Sequence, residues 1–271
     1  MKNLHITLIQ STLHWENIDK NLNLFSQKIS SIKEKTDLII LPEMFTTGFT
    51  MNAKACAEEP NGKTMEWLRK KAKEKNCVIT GSIIVQDKAP SLKERSGGEA
   101  FYNRLIWMKP DGTYEHYDKR HLFRLAEEEK TYSPGNKKII VEINGWKICP
   151  LICYDLRFPV WSRRTKQEDY DVLIYVANWP DQRIHAWKQL LIARAIENQC
   201  YVAGVNRIGN DGSMNHHSGY SALIDFKGEQ LSKSNEDNES IETISLDKDA
   251  LDHFRKKFPF EQDSDAFRLI D

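Results

Sequence analysis

Glu43, Lys119 and Cys153 are the three polar residues of this 271-residue chain whose positions suit catalysis. Cys153 follows an apolar stretch that ends at Ile152 and precedes a polar turn that leads into a predicted helix. A nucleophile at the end of a buried strand is held on a sharp turn with backbone N–H groups facing outward, which suits acyl transfer. A free cysteine is more often a small buried hydrophobe, so position alone leaves both interpretations open.

Glu43 and Lys119 are weaker candidates when each is taken alone. Glu43 follows the apolar run 38–41 and Pro42. An acid among apolar neighbours at a strand end suits a general base, whereas a surface glutamate would do nothing there. Lys119 lies beside Asp118 in a charged segment that is typical of a solvated surface, so it predicts no catalysis without further support.

Composition and charge narrow the classes of function. The 39 Lys and Arg residues balance the 39 Asp and Glu residues, which argues against a nucleic-acid binder. No apolar run approaches the ~18 residues of a membrane span, and the N-terminus lacks the features of a secretory signal. Five irregularly spaced cysteines indicate reduced thiols and predict a cytoplasmic protein. The sequence has neither zinc-ligand spacing nor a phosphate-binding loop, so we expect no metal or cofactor. The cysteines interpreted as structural are Cys56, Cys77, Cys149 and Cys200.

Strands and helices alternate around these residues. A strand at 4–10, an amphipathic helix at 18–32 and a short apolar strand at 38–41 predict a β-α-β start. Asn144-Gly145 predicts a two-residue hairpin, because both central positions of a type I′ turn need positive φ. Further strands are predicted at 78–85, 101–108, 114–117, 137–143, 146–152, 172–177, 201–206, 220–226, 229–232 and 239–246, helices near 63–75, 186–198 and 248–257, and a charged loop at 87–99.

We interpret residues 1–271 as a single mixed α/β domain, since no Pro-, Gly- or Ser-rich linker separates two compact blocks. The chain has more strands than one layer needs. Pro150 is the unfavourable feature, because proline cannot donate a hydrogen bond within the predicted strand 146–152.

The catalytic interpretation depends on the order in which short segments occur. The chain carries, in this order, Leu41-Pro42-Glu43, Lys119 ahead of His121-Leu122-Phe123, the segment 128–135, and Cys153-Tyr154-Asp155. This ordered set resembles the nitrilase superfamily of carbon-nitrogen hydrolases, and the resemblance spans nearly the whole chain. It implies a four-layer α-β-β-α sandwich, in agreement with the surplus of strands, and a homodimer formed through helices beside the active site.

The resemblance also implies which residues act. The catalytic residues of the family fall on Glu43, Lys119 and Cys153, and a supporting glutamate falls on Glu128. Glu127 and Glu129 leave an ambiguity of one residue, which the register of 130–135 settles in favour of Glu128.

The implied reaction is amide hydrolysis through a thioester. Cys153 would attack as a thiolate whose pKa is lowered by Lys119 and by the helix that follows. Glu43 would take the thiol proton, pass it to the departing ammonia and then activate water. Lys119 and the backbone N–H of Tyr154 would stabilise the oxyanion. Glu128 would orient Lys119 and hold the amide.

Three segments are similar to the bacterial omega-amidase branch of the superfamily: 44–49, 153–161 and 177–180. Enzymes of that branch hydrolyse the terminal amide of 2-oxoglutaramate or 2-oxosuccinamate to the dicarboxylic keto acid and ammonia. They clear the keto amide that remains when glutamine donates its amino group, for example during methionine salvage. The implied partner is a small amide, with neither nucleic acid nor membrane involved.

The far carboxylate of such a substrate needs a cation or several N–H donors. Arg183 and Arg207 lie near the motif segments in sequence, although an arginine is more often a structural ion pair. Trp187 could wall the pocket, although an aromatic residue is usually core. The residues expected to bind substrate are Phe45, Phe123, Arg157 and Trp179.

Three alternatives stay open from the sequence. An aliphatic amidase, a nitrilase or a carbamoylase would use the same four residues and differ only in the shape of the pocket. A non-catalytic binding protein could retain the sandwich, but it would have no chemical need for all four polar residues. An unrelated Cys-His-Asp hydrolase would use His121 or His185.

Overall fold

The computed structural model of the protein describes residues 3–88, 99–233 and 236–269. Within this part of the chain, two large sheets lie face to face and helices cover their outer faces. The strands are β1 Leu4–Gln10, β2 Leu38–Ile40, β3 Val78–Lys88, β4 Glu99–Met108, β5 Tyr114–Asp118, β6 Val141–Ile143, β7 Trp146–Ile152, β8 Val172–Ala177, β9 Tyr201–Asn206, β10 Ile208–Asn210, β11 His216–Ser218, β12 Ala222–Ile224 and β13 Ser240–Leu246. The α-helices are α1 Ile18–Ser31, α2 Ala53–Cys56, α3 Lys63–Lys75, α4 Glu128–Thr131, α5 Pro159–Ser162, α6 Ile184–Asn198 and α7 Lys248–Lys257. Short 3₁₀ helices occupy Arg124–Ala126, Cys153–Arg157, Asp181–Arg183 and Phe260–Asp263.

The first sheet has the strand order β13-β1-β2-β3-β4-β5. Its central strands β1, β2 and β3 pair in parallel, because helices cross over between them. β4 and β5 return antiparallel and carry the chain toward Lys119. At the opposite edge, β13 pairs antiparallel with β1, so the C-terminal part of the chain completes a sheet that the N-terminal part begins.

The second sheet has the order β12-β9-β8-β7-β6, with β7, β8 and β9 parallel at its centre. Every residue of β8 is buried, as expected of a strand covered on both faces. Gly204 in β9 allows α6 to approach closely. A Cβ atom at that position would lie only 2.6 Å from Cδ1 of Leu191 and 2.8 Å from Cζ2 of Trp187.

Alternation of side chains in and after β2 shows how the layers form. Leu38 and Ile40 belong to the core shared by the two sheets, whereas Ile39 and Leu41 belong to the cluster under α1 and α3. Successive side chains of a strand point to opposite faces, so this apolar run is buried on both sides. The architecture is the predicted four-layer α-β-β-α sandwich.

Most predicted elements are confirmed, and β1, α3, β7, β8, β9 and α7 have the predicted bounds. Asn144 and Gly145 have φ of 53° and 83°, as a type I′ hairpin requires. Pro150 is accommodated because β6 pairs only with Trp146 to Ile148, so β7 has a single neighbouring strand at the proline.

Other predicted bounds are wrong. The strands predicted at 137–143 and 220–226 are reduced to β6 and β12, and at 229–232 a single bridge joins Gln230 to Ile224. Of the loop predicted at 87–99, the residues 87, 88 and 99 belong instead to β3 and β4, which pair through Lys88 and Glu99, and 89–98 lies outside the described residues. An apolar pattern does not reveal where a neighbouring strand ends, so strand length is decided by the partner.

Candidate active site

Cys153 lies directly after β7, as the sequence predicts, and begins the 3₁₀ helix that runs to Arg157. Its φ of 42° is in the left-handed region, which costs a non-glycine residue about 1–2 kcal/mol. The predicted helix is only this 3₁₀ turn followed by the four-residue α5. It is too short to supply the helix dipole that the sequence interpretation invoked.

The structure brings Glu43, Lys119 and Glu128 together beside this thiol. Lys119 Nζ lies 2.8 Å from Glu43 Oε1 and 3.0 Å from each carboxylate oxygen of Glu128. The thiol of Cys153 donates a hydrogen bond to Glu43. Because Lys119 and both glutamates are buried, water screens their charges little.

Two asparagines that the sequence analysis missed hold Glu43 in place. The side-chain amide of Asn103 donates to Oε1 at 2.8 Å, and the backbone N–H of Asn178 donates to Oε2 at 2.8 Å. The Asn178 side chain also donates to the backbone carbonyl of Glu43. Asn178 stands within the motif segment 177–180, which could have drawn attention to it, whereas nothing in the sequence marks Asn103 in the middle of β4.

The buried carboxylates keep Lys119 charged. Burial alone would lower the pKa of Lys119, but the charges of Glu128 and Glu43 outweigh it and raise that pKa. Burial raises the pKa of Glu128, against the opposing attraction of Lys119. Lys119 is therefore an ammonium group fixed where negative charge can develop on a bound substrate.

The electrostatics of Cys153 correct one prediction. The sequence interpretation lowers the pKa of this thiol, but burial and then the charge of Glu43 raise it well above the usual value. The opposing effects of Lys119 and of the Asn178 N–H are smaller. The resting nucleophile is therefore a thiol hydrogen-bonded to Glu43, and attack by sulfur requires transfer of its proton to that carboxylate.

A cavity opens onto Cys153. Of the residues expected to bind substrate, Phe123, Arg157 and Trp179 line it. The guanidinium of Arg157 lies 4.9 Å from the ring centre of Trp179, and that of Arg183 lies 5.1 Å from the ring centre of Phe123. Aromatic faces thus support two cations on the wall of the cavity.

The two arginines have no carboxylate partner within the described ranges 3–88, 99–233 and 236–269. Asp211 also lines the cavity, but its Oδ1 already accepts hydrogen bonds from the backbone N–H groups of Ser213 and Asn215. Burial and the neighbouring charge of Arg157 lower the pKa of Arg183. Uncompensated positive charge therefore faces the cavity.

Phe45 is not on the cavity wall, which corrects its prediction as a substrate-binding residue. Its ring packs edge-on against Phe25 at 5.5 Å and lies 5.9 Å from the ring of Trp67. It belongs with Leu41 to the apolar cluster on the outer face of the first sheet. Leu41 and Phe45 therefore stabilise the fold and do not line the cavity.

Two further candidates also lie behind the wall. Trp187 packs on Trp179 at 5.6 Å between ring centres, so it supports a wall residue from the side of α6. The guanidinium of Arg207 donates to the backbone carbonyls of Ile208 and Asn210. Neither side chain lines the cavity.

Among the three adjacent glutamates, Glu128 is buried whereas Glu127 and Glu129 are exposed, in agreement with the predicted register. The backbone N–H of Phe123 donates to Glu128 Oε2 at 2.6 Å and fixes that carboxylate beside Lys119. Glu128 does not line the cavity. It is therefore placed to orient Lys119 but not to hold the amide, which corrects half of its predicted role.

The histidines of the Cys-His-Asp alternative are not next to the thiol. His121 Nδ1 lies 2.8 Å from Asp155, but His121 faces a separate surface groove and not the cavity of Cys153. His185 is exposed on α6. In the described part of the chain, no three His, Cys, Asp or Glu side chains are arranged to hold a metal ion.

Comparison with known proteins gives consistent relatives. A profile of the family described as carbon-nitrogen hydrolase matches residues 5–256. Over 99% of its length the chain is 44% identical to omega-amidase YafV of Escherichia coli strain K12, which it covers completely. It is 32% identical to 2-oxoglutaramate amidase of Bacillus subtilis strain 168, over 95% of this chain and 96% of that one. The crystal structure of XC1258 from Xanthomonas campestris, a CN-hydrolase superfamily protein with an arsenic adduct in its active site, matches with a TM-score of 0.91 and 40% identity over 99% of this chain and 100% of that one.

The sandwich, with a buried thiol, ammonium group and carboxylates around one cavity, defines an enzyme that hydrolyses carbon-nitrogen bonds. The chain belongs to the carbon-nitrogen hydrolase family of the nitrilase superfamily. The resemblance found in the sequence is thereby confirmed.

Proposed function

We propose that the protein is an omega-amidase that hydrolyses the terminal amide of 2-oxoglutaramate or 2-oxosuccinamate to the keto dicarboxylic acid and ammonia. Two relatives support this substrate class by their names, omega-amidase YafV and 2-oxoglutaramate amidase, and both match over nearly the whole chain. The observation that carries the chemistry is the shared contact of Glu43, which accepts a hydrogen bond from the Cys153 thiol while Lys119 Nζ lies 2.8 Å from Oε1.

In the first half of the reaction, Cys153 Sγ attacks the amide carbonyl carbon and its proton moves to Glu43. Negative charge develops on the carbonyl oxygen, which Lys119 and the backbone N–H of Tyr154 stabilise. A well-placed donor of this kind contributes about 3–4 kcal/mol in other enzymes. The intermediate collapses when Glu43 returns the proton to the nitrogen, the C–N bond breaks and ammonia leaves an acyl thioester.

The second half reverses the roles. Glu43 removes a proton from water, the hydroxyl oxygen attacks the thioester carbon, and the C–S bond breaks as the thiol regains its proton. Glu128 keeps Lys119 oriented through both halves, since its two oxygens each lie 3.0 Å from Nζ.

Arg157 and Arg183 are the residues that we assign to the far carboxylate of the substrate. Both line the cavity, both are held against aromatic rings, and neither is neutralised by a carboxylate within the described residues. A guanidinium stacked on a ring keeps its N–H edges free for a carboxylate. Phe123 and Trp179, the supporting rings, would contact the carbon chain of the substrate.

A substrate panel tests the proposal. We expect kcat/KM for 2-oxoglutaramate to exceed that for a simple aliphatic amide, a small nitrile and an N-carbamoyl amino acid by about 10- to 150-fold, since a charged hydrogen bond contributes about 1.5–3 kcal/mol. Arg157→Met should raise KM for 2-oxoglutaramate and leave that for the neutral aliphatic amide nearly unchanged. If 2-oxoglutaramate reacts no faster than the neutral amide, the narrow assignment fails and another activity of the family is favoured.

Mass spectrometry of a covalent adduct separates an enzyme from a non-catalytic binding protein. Wild-type protein that is quenched during turnover should carry an acyl group, and Cys153→Ala should carry none and be inactive. Cys149→Ala is the matched control, because Cys149 is buried in the interior of β7 and does not line the cavity. Acylation that persists in Cys153→Ala would refute the assigned nucleophile.

Four further assignments accompany this proposal. Residues 1–271 form one domain, the protein is a homodimer, and it works in the cytoplasm, where reduced thiols such as its five free cysteines persist. Its physiological role is the removal of the keto amide left by glutamine-dependent transamination, as in methionine salvage. No helix of the described residues has the length and apolar character to cross a membrane. Analytical ultracentrifugation tests the dimer.

A further inference from the structure

Asp155 is a fully buried acid two residues after Cys153, and it lies outside the cavity. Its carboxylate accepts hydrogen bonds from groups on both sides of the molecule's central core. A buried carboxylate needs such partners, because an unpaired one would be costly. The identity of the partners indicates what this acid does.

Oδ2 of Asp155 contacts the turn that carries the nucleophile and the strand that leads to the lysine. It accepts a hydrogen bond from the backbone N–H of Ile152 at 3.1 Å and another from the hydroxyl of Tyr117 at 2.7 Å. The first closes the turn around Cys153, whose positive φ needs such restraint. The second reaches β5 two residues before Lys119.

Oδ1 of Asp155 contacts the chain on the other side of Lys119. It accepts a hydrogen bond from the backbone N–H of His121 at 3.1 Å and lies 2.8 Å from His121 Nδ1, which therefore donates to the carboxylate. Lys119 itself is fixed to β4 by a hydrogen bond from its N–H to the carbonyl of Asn103 at 3.0 Å. The backbone is thus held at Lys119 and on both sides of it.

The two side chains that reach Asp155 are themselves held rigidly. The oxygen of Tyr117 accepts from Trp161 Nε1 at 3.0 Å and from the backbone N–H of Arg120 at 3.2 Å, so all of its hydrogen-bonding capacity is used. The ring of His121 stacks on Phe158 at 3.8 Å with an interplanar angle of 6°. Neither contact can shift without disturbing several others.

We propose that Asp155 is a positioning residue that sets the distance between the nucleophile and the lysine, because its two oxygens join the turn of Cys153 to the chain segments that flank Lys119. The proposal rests on the catalytic roles proposed for Cys153 and Lys119. A displacement of about 1 Å in a reacting group can cost on the order of 100-fold in rate. One carboxylate thereby couples the two sheets at the point where both deliver a reacting side chain.

Asp155→Asn tests this role. The amide keeps the size of the side chain, but one of the two oxygens that accept hydrogen bonds is replaced by an NH₂ group, which cannot accept them. We expect kcat to fall about 10- to 100-fold while KM changes less than about 3-fold, since no contact with the cavity is lost. The rate of Cys153 alkylation by iodoacetamide should change as well, because the turn no longer holds the thiol beside Glu43.

Asp171→Asn is the matched control. Asp171 is also buried and accepts from the backbone N–H of Lys147 at 3.1 Å and from Arg255 at 2.9 Å. It precedes β8, at the end of that strand opposite to Asn178, which lines the cavity. We expect it to lower thermal stability at least as much as Asp155→Asn, with kcat and the alkylation rate unchanged. Equal effects of the two variants on kcat, or a kcat of Asp155→Asn within about 3-fold of wild type, would overturn the proposal.

Two measurements keep the outcomes separate. If Asp155→Asn does not fold, Tyr117→Phe removes a single donor to Asp155, and an unchanged kcat and alkylation rate in that variant would equally overturn the proposal. Alkylation needs no substrate, so it reports on the position of Cys153 even if wild-type protein fails to hydrolyse any omega-amide. Inactive wild type with the expected alkylation changes would refute the proposed function and leave the positioning role of Asp155 intact.

Discussion

At the scale of a single residue, Glu43 contacts both a neutral thiol and a positively charged ammonium group. It accepts the hydrogen bond of the Cys153 thiol and also lies 2.8 Å from the ammonium group of Lys119. Two asparagines occupy its remaining acceptor positions. The carboxylate is therefore oriented before substrate arrives, and proton transfer from sulfur needs no rearrangement of the side chain.

Glu43→Gln keeps the shape of this side chain and removes its charge. We expect kcat to fall about 10²- to 10⁴-fold, the usual contribution of a general base. The pKa of Cys153 should fall at the same time, because after burial the charge of Glu43 is the main cause of its elevation. The pH profile of iodoacetamide alkylation measures this, and its midpoint should move to lower pH. Glu129→Gln, an exposed neighbour of Glu128, should change neither quantity, and a midpoint that stays in place or rises in Glu43→Gln would contradict the argument.

At the scale of elements, the position of Trp179 on the cavity wall depends on how closely α6 packs on β9. Gly204 permits that approach, since a Cβ atom there would collide with Leu191 and Trp187. Trp187 in turn supports Trp179 from behind. Packing between a helix and a strand therefore shapes a surface that substrate would contact.

Gly204→Ala should lower the free energy of unfolding by about 1–3 kcal/mol, because α6 must move outward to admit the methyl group. Urea denaturation measures the loss. Leu191→Ala removes the nearer of the two colliding side chains, so the cost of Gly204→Ala should be smaller by about 1 kcal/mol in that background. Strict additivity of the two substitutions would show that the helix does not shift as expected.

At the scale of the whole molecule, buried titratable groups determine how the fold responds to acid. Burial and the neighbouring charge of Arg207 lower the pKa of His217 to about 4. Burial raises the pKa of Glu239, but hydrogen bonds from Lys28, Thr12 and Ser11 outweigh it and lower that pKa to about 2. The two groups act in different ranges of pH.

His217 predicts a loss of stability on mild acidification. Above pH ~6.5 the histidine is neutral in both states, and between pH ~6.5 and 4 the unfolded chain binds a proton that the folded chain excludes. The contribution of His217 to the free energy of unfolding should therefore fall over that range by up to about 3 kcal/mol and level off below pH ~4. The contribution of Glu239 is present above pH ~4.5 and is lost as pH falls toward 2. His217→Asn should flatten the decline between pH 6.5 and 4 in urea denaturation experiments. The exposed His185→Asn should leave the decline as in wild type, and equal slopes in all three proteins would exclude His217 as its source.

Local patterns in the chain predicted most of the elements, and the resemblance carried by the ordered motif segments implied the α-β-β-α sandwich and the roles of Glu43, Lys119 and Cys153. Apolar periodicity reports which face of an element is buried, and the ordered motif segments are specific even though each is weak alone. The register of the segment 130–135 assigned the supporting role to Glu128, which is the buried one of the three adjacent glutamates.

Folding decided everything that depends on neighbours distant in the chain. Asn103 acquires Glu43 as its partner only when β4 lies beside the segment that follows β2, and Asp155 acquires Tyr117 only when β5 meets the turn after β7. Phe45 turns to the outer layer, whereas Glu43, two positions before it, contacts the thiol. The sign of the Cys153 pKa shift was inferred wrongly from the sequence for the same physical reason. Desolvation and charge–charge interactions depend on burial and on distances of a few ångströms, and the order of residues along a chain specifies neither until the sheets have packed.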